Sequence, residues 1–270
     1  MPLALIDADS IYFKACYGAR NKRDVKKRID STMLEILGQC FCDDGEYRVA
    51  LKGRDNYRTR LYKPYKANRK PLEEDMKKLL NMGHEHMKKK WNGVEATGME
   101  ADDLVSIWAY EAREMEIDYI ICGIDKDLKQ IPGNHYNYNK LTFDFVDDDK
   151  ADMNLMVQCL TGDNTDNIPG IKGIGPKKAE KILKDIPYGS RWGVIQKTWQ
   201  DMSAGDPTMS LKLLSMLKTW EEFEETKDVG KEKPRSEDTS ETPECEQDVQ
   251  SEGEDDVQID GLSDVSGRDS

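Results

Sequence analysis

Histidine is scarce in this sequence of 270 residues, and no long apolar run occurs in it. The six cysteines show none of the spacings typical of zinc sites. The longest apolar stretches, such as residues 3–6 and 119–122, are far too short to cross a membrane. The N-terminus has no basic segment before an apolar one, so no secretory signal is expected. These absences argue against a zinc protein, a membrane protein and a secreted disulfide-stabilised domain. They predict buried thiols in a cytoplasmic protein.

Negative charge is concentrated near the end of the chain. The net charge of −13 combines 53 acidic with 40 basic residues. Residues 221–270 hold 19 acids and 5 bases, so residues 1–220 are close to neutral. Because this last segment has few apolar residues, it cannot bury enough surface to offset the entropy of ordering. We predict a disordered acidic tail over residues 227–270. The tail either solubilises the protein, competes for the chain's own basic segment or binds a basic partner.

Alternating periodicities predict an α/β fold. Strand-like segments at residues 3–6, 47–51 and 118–124 alternate with helical segments at residues 24–40, 71–91 and 101–115. Two shorter strands are expected near residues 136–138 and 142–146. Such alternation is typical of a parallel sheet. The sequence is helical with glycine-rich breaks from residue 151 onward. We therefore predict a core at residues 1–150, a small helical domain at residues 151–226 and then the tail.

Acidic residues recur where the predicted strands end or the next helices begin. They are Asp7 and Asp9, then Glu100, Asp102 and Asp103, then Asp125 and Asp127, and finally Asp163 and Asp166. Ligands of open parallel sheets bind at the carboxyl ends of the strands. So many carboxylates at one edge would repel one another without cations between them. Oxygen ligands favour Mg²⁺ or Mn²⁺ over zinc, and the number of carboxylates suggests two ions. Such a pair can activate water and stabilise both oxygens at a phosphodiester.

Each acidic group has a simpler interpretation when taken alone. An aspartate pair at a helix start is often only a favourable contact with the helix dipole, and Asp9 could face solvent or cap a helix. The joint occurrence of all the groups, in order and at the right structural positions, favours the metal interpretation.

A basic segment and a glycine-rich turn indicate contact with nucleic acid. Residues 54–70 contain seven basic residues, one acid and three tyrosines, which suit phosphates and stacked bases. By itself such a charge run is more often a solvated surface. The stretch GIKGIGPKKA at residues 170–179 places glycines before a helix, where backbone amides can approach a phosphate. Its position directly after TGDNTDNIPG makes this second motif the more specific one.

Taken in order, five motifs resemble the 5′→3′ exonuclease and flap endonuclease family over about residues 1–185. They are LIDAD, YKANR, GMEADD, GIDKDL and TGDNTDNIPGIKGIGPKKAEKIL. The similarity is greatest to phage exonucleases and to the 5′-nuclease domain of bacterial DNA polymerase I. The resemblance implies a PIN-like parallel-sheet core with a helical arch in about residues 54–98. A helix-three-turn-helix DNA-binding domain would follow.

The implied activity is that of a metal-dependent 5′→3′ exonuclease or structure-specific 5′ nuclease. Its substrate would be DNA with a 5′ end or a 5′ flap, in phage replication or genome breakdown in the host cytoplasm. RNA primers and RNA–DNA hybrids are compatible with the same site, and no membrane partner is expected.

The resemblance also implies roles for individual residues. The first metal would be held by Asp7, Glu100, Asp102 and Asp103, and the second by Asp125, Asp127 and Asp163, with help from Asp166. Lys66 and Arg69 would act as catalytic cations on the scissile phosphate. DNA would be contacted by Arg58, Tyr65, Lys66 and Arg69. It would also be gripped by a turn containing Gly173, Gly175, Lys177 and Lys178, where K⁺ would bind.

One position departs from the family pattern. Many relatives have an aspartate just after the second strand, where this chain has the stretch LKGR at residues 51–54. The nearest acid is Asp55, which either replaces this outer ligand through a shifted loop or leaves it missing.

Two other functions stay open at this point: a non-catalytic protein that binds DNA structures, and a PIN-type endoribonuclease. A binder gains nothing from carboxylates beside phosphates, and an endoribonuclease does not explain the GIGPK turn. The balance between exonuclease and flap endonuclease activity is open as well.

Overall fold

A six-stranded sheet lies at the centre of the computed structural model, which describes residues 1–42 and 46–229. Its strands are β1 (Leu3–Asp7), β2 (Tyr47–Asn56), β3 (Val94–Gly98), β4 (Tyr119–Cys122), β5 (Gly133–Asn137) and β6 (Thr142–Val146). Their order is β3-β2-β1-β4-β5-β6. All neighbouring strands are parallel except β5 and β6. The predicted α/β class with a parallel-sheet core is thus confirmed.

The described residues also form ten α-helices. Six of them alternate with the strands or follow the last one directly: α1 (Asp9–Cys16), α2 (Lys22–Gln39), α3 (Tyr57–Leu61), α4 (Glu74–Lys90), α5 (Ala101–Glu114) and α6 (Asp148–Thr161). The later ones are α7 (Pro176–Leu183), α8 (Arg191–Asp201), α9 (Thr208–Leu214) and α10 (Trp220–Thr226). A 3-10 helix covers Asp127–Gln130. Among these elements, none is both long and apolar enough to pass through a bilayer.

Apolar side chains cover both faces of the sheet. One cluster packs α1, α2 and α4 against a face that includes Ile6 of β1. The other packs α5 against the opposite face, which includes Leu5 of β1 and Ile121 of β4. Successive residues of a strand point to opposite faces, so Leu5 and Ile6 enter different clusters. Burial on both sides explains why β1 is a continuous apolar run.

A third apolar cluster lies among the helices that follow the sheet. It joins α6, α7, α8 and α9 through residues such as Leu160, Leu183 and Ile195. Tyr65, from the segment after α3, also packs into this cluster. The predicted boundary near residue 150 and the helix-three-turn-helix assignment stay predictions. The part of the predicted acidic tail at residues 230–270 lies outside the described residues.

The cysteines behave as the sequence predicted. Five are free and buried: Cys16, Cys40, Cys42, Cys122 and Cys159. The sixth, Cys245, lies outside the described residues.

Candidate metal and nucleic-acid site

The carboxyl end of the central strand faces two adjoining cavities. Asp7 ends β1, and the segments after β3 and β4 reach the same place. The two cavities share Lys66, Arg69, Glu100, Asp102, Asp125 and Lys126. Asp7 lines one of them, and Asp103, Asp127, Asp163 and Asp166 line the other. The structure therefore brings all eight predicted metal-ligating residues to one region of the surface.

Three of these carboxylates have no basic partner within the described residues: Asp7, Asp102 and Asp125. Asp7 is only 4% exposed and accepts one hydrogen bond, from the backbone N–H of Asp9 (3.3 Å). Burial, followed by the negative charge of Asp9, raises the pKa of Asp7 to about 8. Burial and then the charges of Asp7 and Asp125 raise the pKa of Asp102. The ionised form of these carboxyl groups thus has no basic partner in the described structure, and a bound cation would stabilise it.

Other carboxylates are already paired with basic side chains. Glu100 pairs with Lys66 and accepts a hydrogen bond from the Tyr65 hydroxyl (2.8 Å). Burial opposes ionisation of Glu100, but the charges of Lys66 and Arg58 and the hydrogen bonds from Lys66 and Tyr65 together outweigh it and lower the pKa of that carboxyl. Asp166 pairs with Arg69 (2.6 Å) and with Lys66 (3.4 Å). The two predicted catalytic cations are therefore bound to predicted metal ligands.

Lys126 is a further cation of the site, and the sequence analysis did not select it. Its ammonium group donates to Asp163 (2.8 Å) and lies 3.9 Å from Asp127. The other oxygen of Asp163 accepts from the backbone N–H groups of Thr165 (2.7 Å) and Asp166 (3.3 Å). Burial, and then Asp125, raises the pKa of Asp127 to about 6. The position of Lys126 between two aspartates of GIDKDL was the signal that could have identified it.

Asp103 and Arg58 do not fit the roles implied for them. Asp103 is fully buried, and Arg58, which is 3% exposed, binds it through two hydrogen bonds of 2.5 and 2.9 Å. Arg58 also donates to the backbone carbonyls of Leu213 (2.8 Å) and Ser215 (2.6 Å). Asp103 further accepts from the backbone N–H groups of Glu100 (3.0 Å) and Leu217 (3.1 Å). We correct both assignments: this pair joins α3, α5 and the segment after α9, and neither member is free for a metal or for DNA.

Tyr65 also differs from its implied role. The side chain is 4% exposed, and its hydroxyl donates to Glu100 and lies 3.2 Å from Asp166. A ring buried in this way cannot stack on a base, so Tyr65 is better described as support for the carboxylates. The next residue, Lys66, has a left-handed backbone (φ 57°), and its N–H donates to the carbonyl of Asp166 (2.9 Å). That bond holds a conformation that is rare for a residue with a side chain.

Asp55 lies at an irregularity of β2. The register with β3 shifts between Lys52 and Asn56, and Asp55 has a φ of 59°. This β-bulge brings Asp55 to the cavity that contains Asp7. Asp9 lines the same cavity, where one of its oxygens accepts from the backbone N–H of Lys52 (2.7 Å). The replacement of the family's outer ligand by Asp55 stays a prediction.

The glycine-rich turn lies apart from the two cavities. Gly173 has a φ of 83°, which favours glycine, and Gly175 precedes α7, whose first residue is Pro176. Both glycines face open space on the side where a Cβ would project. Lys177 and Lys178 are exposed at the start of α7. This geometry permits the predicted approach of a phosphate backbone but does not by itself test it.

The carboxylates present could bind divalent cations, but some of their side chains would have to turn away from basic partners first. In the described part of the chain, no three acidic, histidine or cysteine side chains are arranged to hold a metal ion as they stand. The reason is that Glu100, Asp163 and Asp166 point at basic side chains. Ten carboxyl groups and the five cations Lys52, Arg58, Lys66, Arg69 and Lys126 line the two cavities, so acidic groups outnumber basic ones by five. Divalent cations would offset this excess, and the donors are the oxygens that Mg²⁺ and Mn²⁺ prefer.

Comparisons with known proteins agree with this architecture. DNA polymerase I of Rhizobium leguminosarum is 33% identical over 143 residues, which are 49% of this chain and 14% of the polymerase. Flap endonuclease Xni of Shewanella baltica is 30% identical over 138 residues, which are 48% of this chain and 53% of that protein. The chain thus spans about half the length, or less, of these curated relatives.

The fold is also similar to that of a solved structure. That structure is the bacteriophage T5 D15 flap endonuclease in a pseudo-enzyme-product complex with DNA and metal ions. The TM-score is 0.62 at 18% identity, covering 79% of this chain and 89% of that chain. A family model described as "5′-3′ exonuclease, N-terminal resolvase-like domain" matches residues 2–156. Because this match covers more than half of the sequence, the chain belongs to the 5′-3′ exonuclease family.

Proposed function

We propose that this chain is a metal-dependent 5′ nuclease that hydrolyses DNA phosphodiesters at a 5′ end or a 5′ flap. The observation that supports the proposal most directly is the group of Asp7, Asp102 and Asp125. Three carboxylates from separate segments converge there without a basic partner in the described structure. Carboxyl groups with raised pKa values and no basic partner are expected where a cation and a phosphate are to be bound.

Two Mg²⁺ ions, for which Mn²⁺ can substitute, would activate water and stabilise the attacking and leaving oxygens. Asp7, Asp102 and Asp125 would bind them together with Glu100 and Asp163. Lys66 and Arg69 would then donate to the non-bridging oxygens of the scissile phosphate. Fixed donors of this kind stabilise charge that develops during hydrolysis.

The proposed substrate is duplex DNA with a 5′ end or flap, as the names of the relatives suggest. The exposed turn at Gly173 and Gly175 would bind the duplex backbone, with K⁺ as a bridging ion. RNA–DNA hybrids are further proposed substrates. We place the activity in phage DNA replication or genome breakdown in the host cytoplasm, where the acidic segment would bind a basic partner.

The test is cleavage of a 5′-labelled flap and of a blunt duplex in Mg²⁺, compared with the same reactions in EDTA. The parent protein should cleave only with the metal, and Asp125→Asn should lose nearly all activity. Asp201→Asn, an equivalent change at an exposed position on α8, is the matched control and should retain it. Equal product release by parent and Asp125→Asn would refute the metal assignment.

The products also separate the remaining alternatives. Release of intact flaps indicates endonuclease activity, whereas mononucleotides indicate exonuclease activity. Binding without turnover in Mg²⁺ or Mn²⁺ would favour a non-catalytic binder, and a preference for single-stranded RNA would favour an endoribonuclease.

A further inference from the structure

The first half of α2 presents positive charge that the proposed active site does not use. Residues 20–28 contain six basic residues and one acid, Asp24. Asp24 is already engaged by Arg28 (3.3 Å) and by the backbone N–H of Arg20 (3.1 Å). Four exposed cations have no acidic partner among the described residues: Lys22, Arg23, Lys26 and Lys27.

Helical geometry places these four cations together. Lys22 lies one turn from Lys26, and Arg23 lies one turn from Lys27, so they form two adjacent rows on one face. Val25 and Ile29, which follow on the adjoining face of the helix, are buried in the core. Like charges at this spacing destabilise a helix. Nothing in the described fold offsets that repulsion, whereas an anionic ligand would.

The basic segment predicted from the sequence, residues 54–70, differs from α2 because several of its cations are already in ion pairs. Its residues Arg58, Lys66 and Arg69 are bound to carboxylates of the active site. Three cations of that segment are thus already paired, whereas the four cations on α2 have no acidic partner in the described part of the chain.

Two exposed aromatic rings lie at the end of α1, which α2 contacts through Arg28. Phe13 and Tyr17 are 40% and 52% exposed, with ring centroids 5.1 Å apart. The guanidinium of Arg28 donates to the backbone carbonyls of Tyr17 (3.0 Å) and Gly18 (3.1 Å), which ties the end of α1 to α2. We call Phe13, Tyr17, Lys22, Arg23, Lys26 and Lys27 the basic–aromatic surface.

This surface begins next to the proposed active site. Asp9, which lines the cavity of Asp7, starts α1, and Phe13 and Tyr17 follow at intervals of four residues. Residues at this spacing share one side of a helix. At 1.5 Å per residue, Tyr17 lies about 12 Å from Asp9 along the axis of α1. A strand of two or three nucleotides covers such a distance.

We propose that the basic–aromatic surface binds a single strand of nucleic acid that extends from the active-site cavity. Phosphates contact Lys22, Arg23, Lys26 and Lys27, and bases stack on Phe13 and Tyr17. Cations along a groove combined with exposed rings are the usual basis of single-strand binding. The proposal relies on the proposed function only for the class of ligand.

The test is the binding of a fluorescein-labelled oligothymidylate in EDTA, measured by fluorescence anisotropy over a range of salt concentrations. For single strands, log K changes with log[salt] by about −0.7 per phosphate contact. Lys26→Gln/Lys27→Gln should therefore reduce the slope by about 1.4 and the affinity about 25-fold at about 0.1 M salt. The matched control is Arg113→Gln/Lys150→Gln, two exposed cations on α5 and α6, which should bind like the parent because α5 packs on the face of the sheet opposite α2.

The aromatic part is tested separately. Tyr17→Ala should weaken binding about 5- to 150-fold without changing the salt slope, and Tyr17→Phe should restore it. Circular dichroism confirms that each variant is folded.

Several outcomes would overturn the proposal. Unchanged oligothymidylate affinity of the Lys26/Lys27 variant would do so. The proposal would also fail if the Lys26/Lys27 variant lost affinity only for blunt duplex DNA. It would fail too if that variant lost affinity only for polyglutamate, which would indicate an acidic protein partner. A parent that binds the single strand through this surface but cleaves nothing would refute only the proposed function. A parent that cleaves DNA while the Lys26/Lys27 variant binds normally would refute only the surface.

Discussion

Removal of the Arg58 charge should unfold this protein at a much lower temperature. In Arg58→Gln, the fully buried carboxylate of Asp103 loses its cation partner in the described structure, and the carbonyls of Leu213 and Ser215 lose a donor. Breaking a buried ion pair from one side typically costs about 3–5 kcal/mol. For a folded unit of this size, 1 kcal/mol shifts Tm by about 2–4 °C, so we expect a fall of about 6–20 °C.

The assay is thermal unfolding followed by circular dichroism, without metal or DNA. Arg60→Gln is the matched control, because Arg60 is exposed and lies on the same helix. It should change Tm by no more than about 2 °C, as surface substitutions usually do. If Arg58→Gln also kept its Tm and lost only DNA affinity, Arg58 would be a DNA contact, and our account of the Arg58–Asp103 pair would be wrong.

Three further predictions concern metal and pH. Asp102→Asn should raise Tm in EDTA at pH 8, because it removes a charge that Asp7 and Asp125 repel. The same variant should lose most of the stabilisation by Mg²⁺, which is about 2.7 kcal/mol when the Mg²⁺ concentration is one hundred times Kd. Lys126→Gln should tighten Mn²⁺ binding in calorimetry by about 1.5- to 5-fold, since Lys126, whose side chain is 68% exposed, otherwise holds the buried carboxylate of Asp163; weaker binding would contradict this. Burial lowers the pKa of His135 from 6.5 to about 4, so the unfolded chain binds the proton first and stability falls as pH drops below 6.5. The loss reaches about 3 kcal/mol near pH 4, and His135→Gln should reduce that slope in urea unfolding.

The main elements of the sheet could be predicted because their burial imposes a clear pattern. The predicted strand at residues 142–146 matches β6, and those at residues 3–6 and 118–124 match β1 and β4 to within two residues at each end. The helix predicted at residues 101–115 matches α5 to within one residue at its end. In α5, β1 and β4, contact with the core fixes which positions are apolar. β6 is an edge strand in which only Val146 is buried, so this reason does not apply to it.

Three elements were missed or cut short in the prediction, each for a different reason. β3 is an edge strand in which only Ala96 is buried, so no apolar run marks it. α1 has only eight residues, which is too short for a helical period to stand out. β2 was predicted to end at Leu51, but it continues to Asn56 through the bulge that brings Asp55 to the cavity. A bulge depends on the pairing with a neighbouring strand, which the local sequence does not show.

The candidate site was predictable in its acids but not in its cations. Carboxylates recur at strand ends, and topology alone brings such ends together. Whether a basic residue is free depends instead on partners far away in the chain, such as Leu213 and Ser215 for Arg58. Charge counting therefore selected residues 54–70 and overlooked residues 20–28.

The pairing of acids and bases also constrains how the site can work. Lys66 and Arg69 cannot donate fully to a phosphate while they hold Glu100 and Asp166. A divalent ion that takes over these carboxylates releases the two cations, and a phosphate that takes the cations releases the carboxylates. Each ligand therefore removes a competitor of the other, and binding free energies linked in this way must be reciprocal. In the proposed nuclease, the same four side chains would make metal and DNA bind cooperatively without any change in the fold around them.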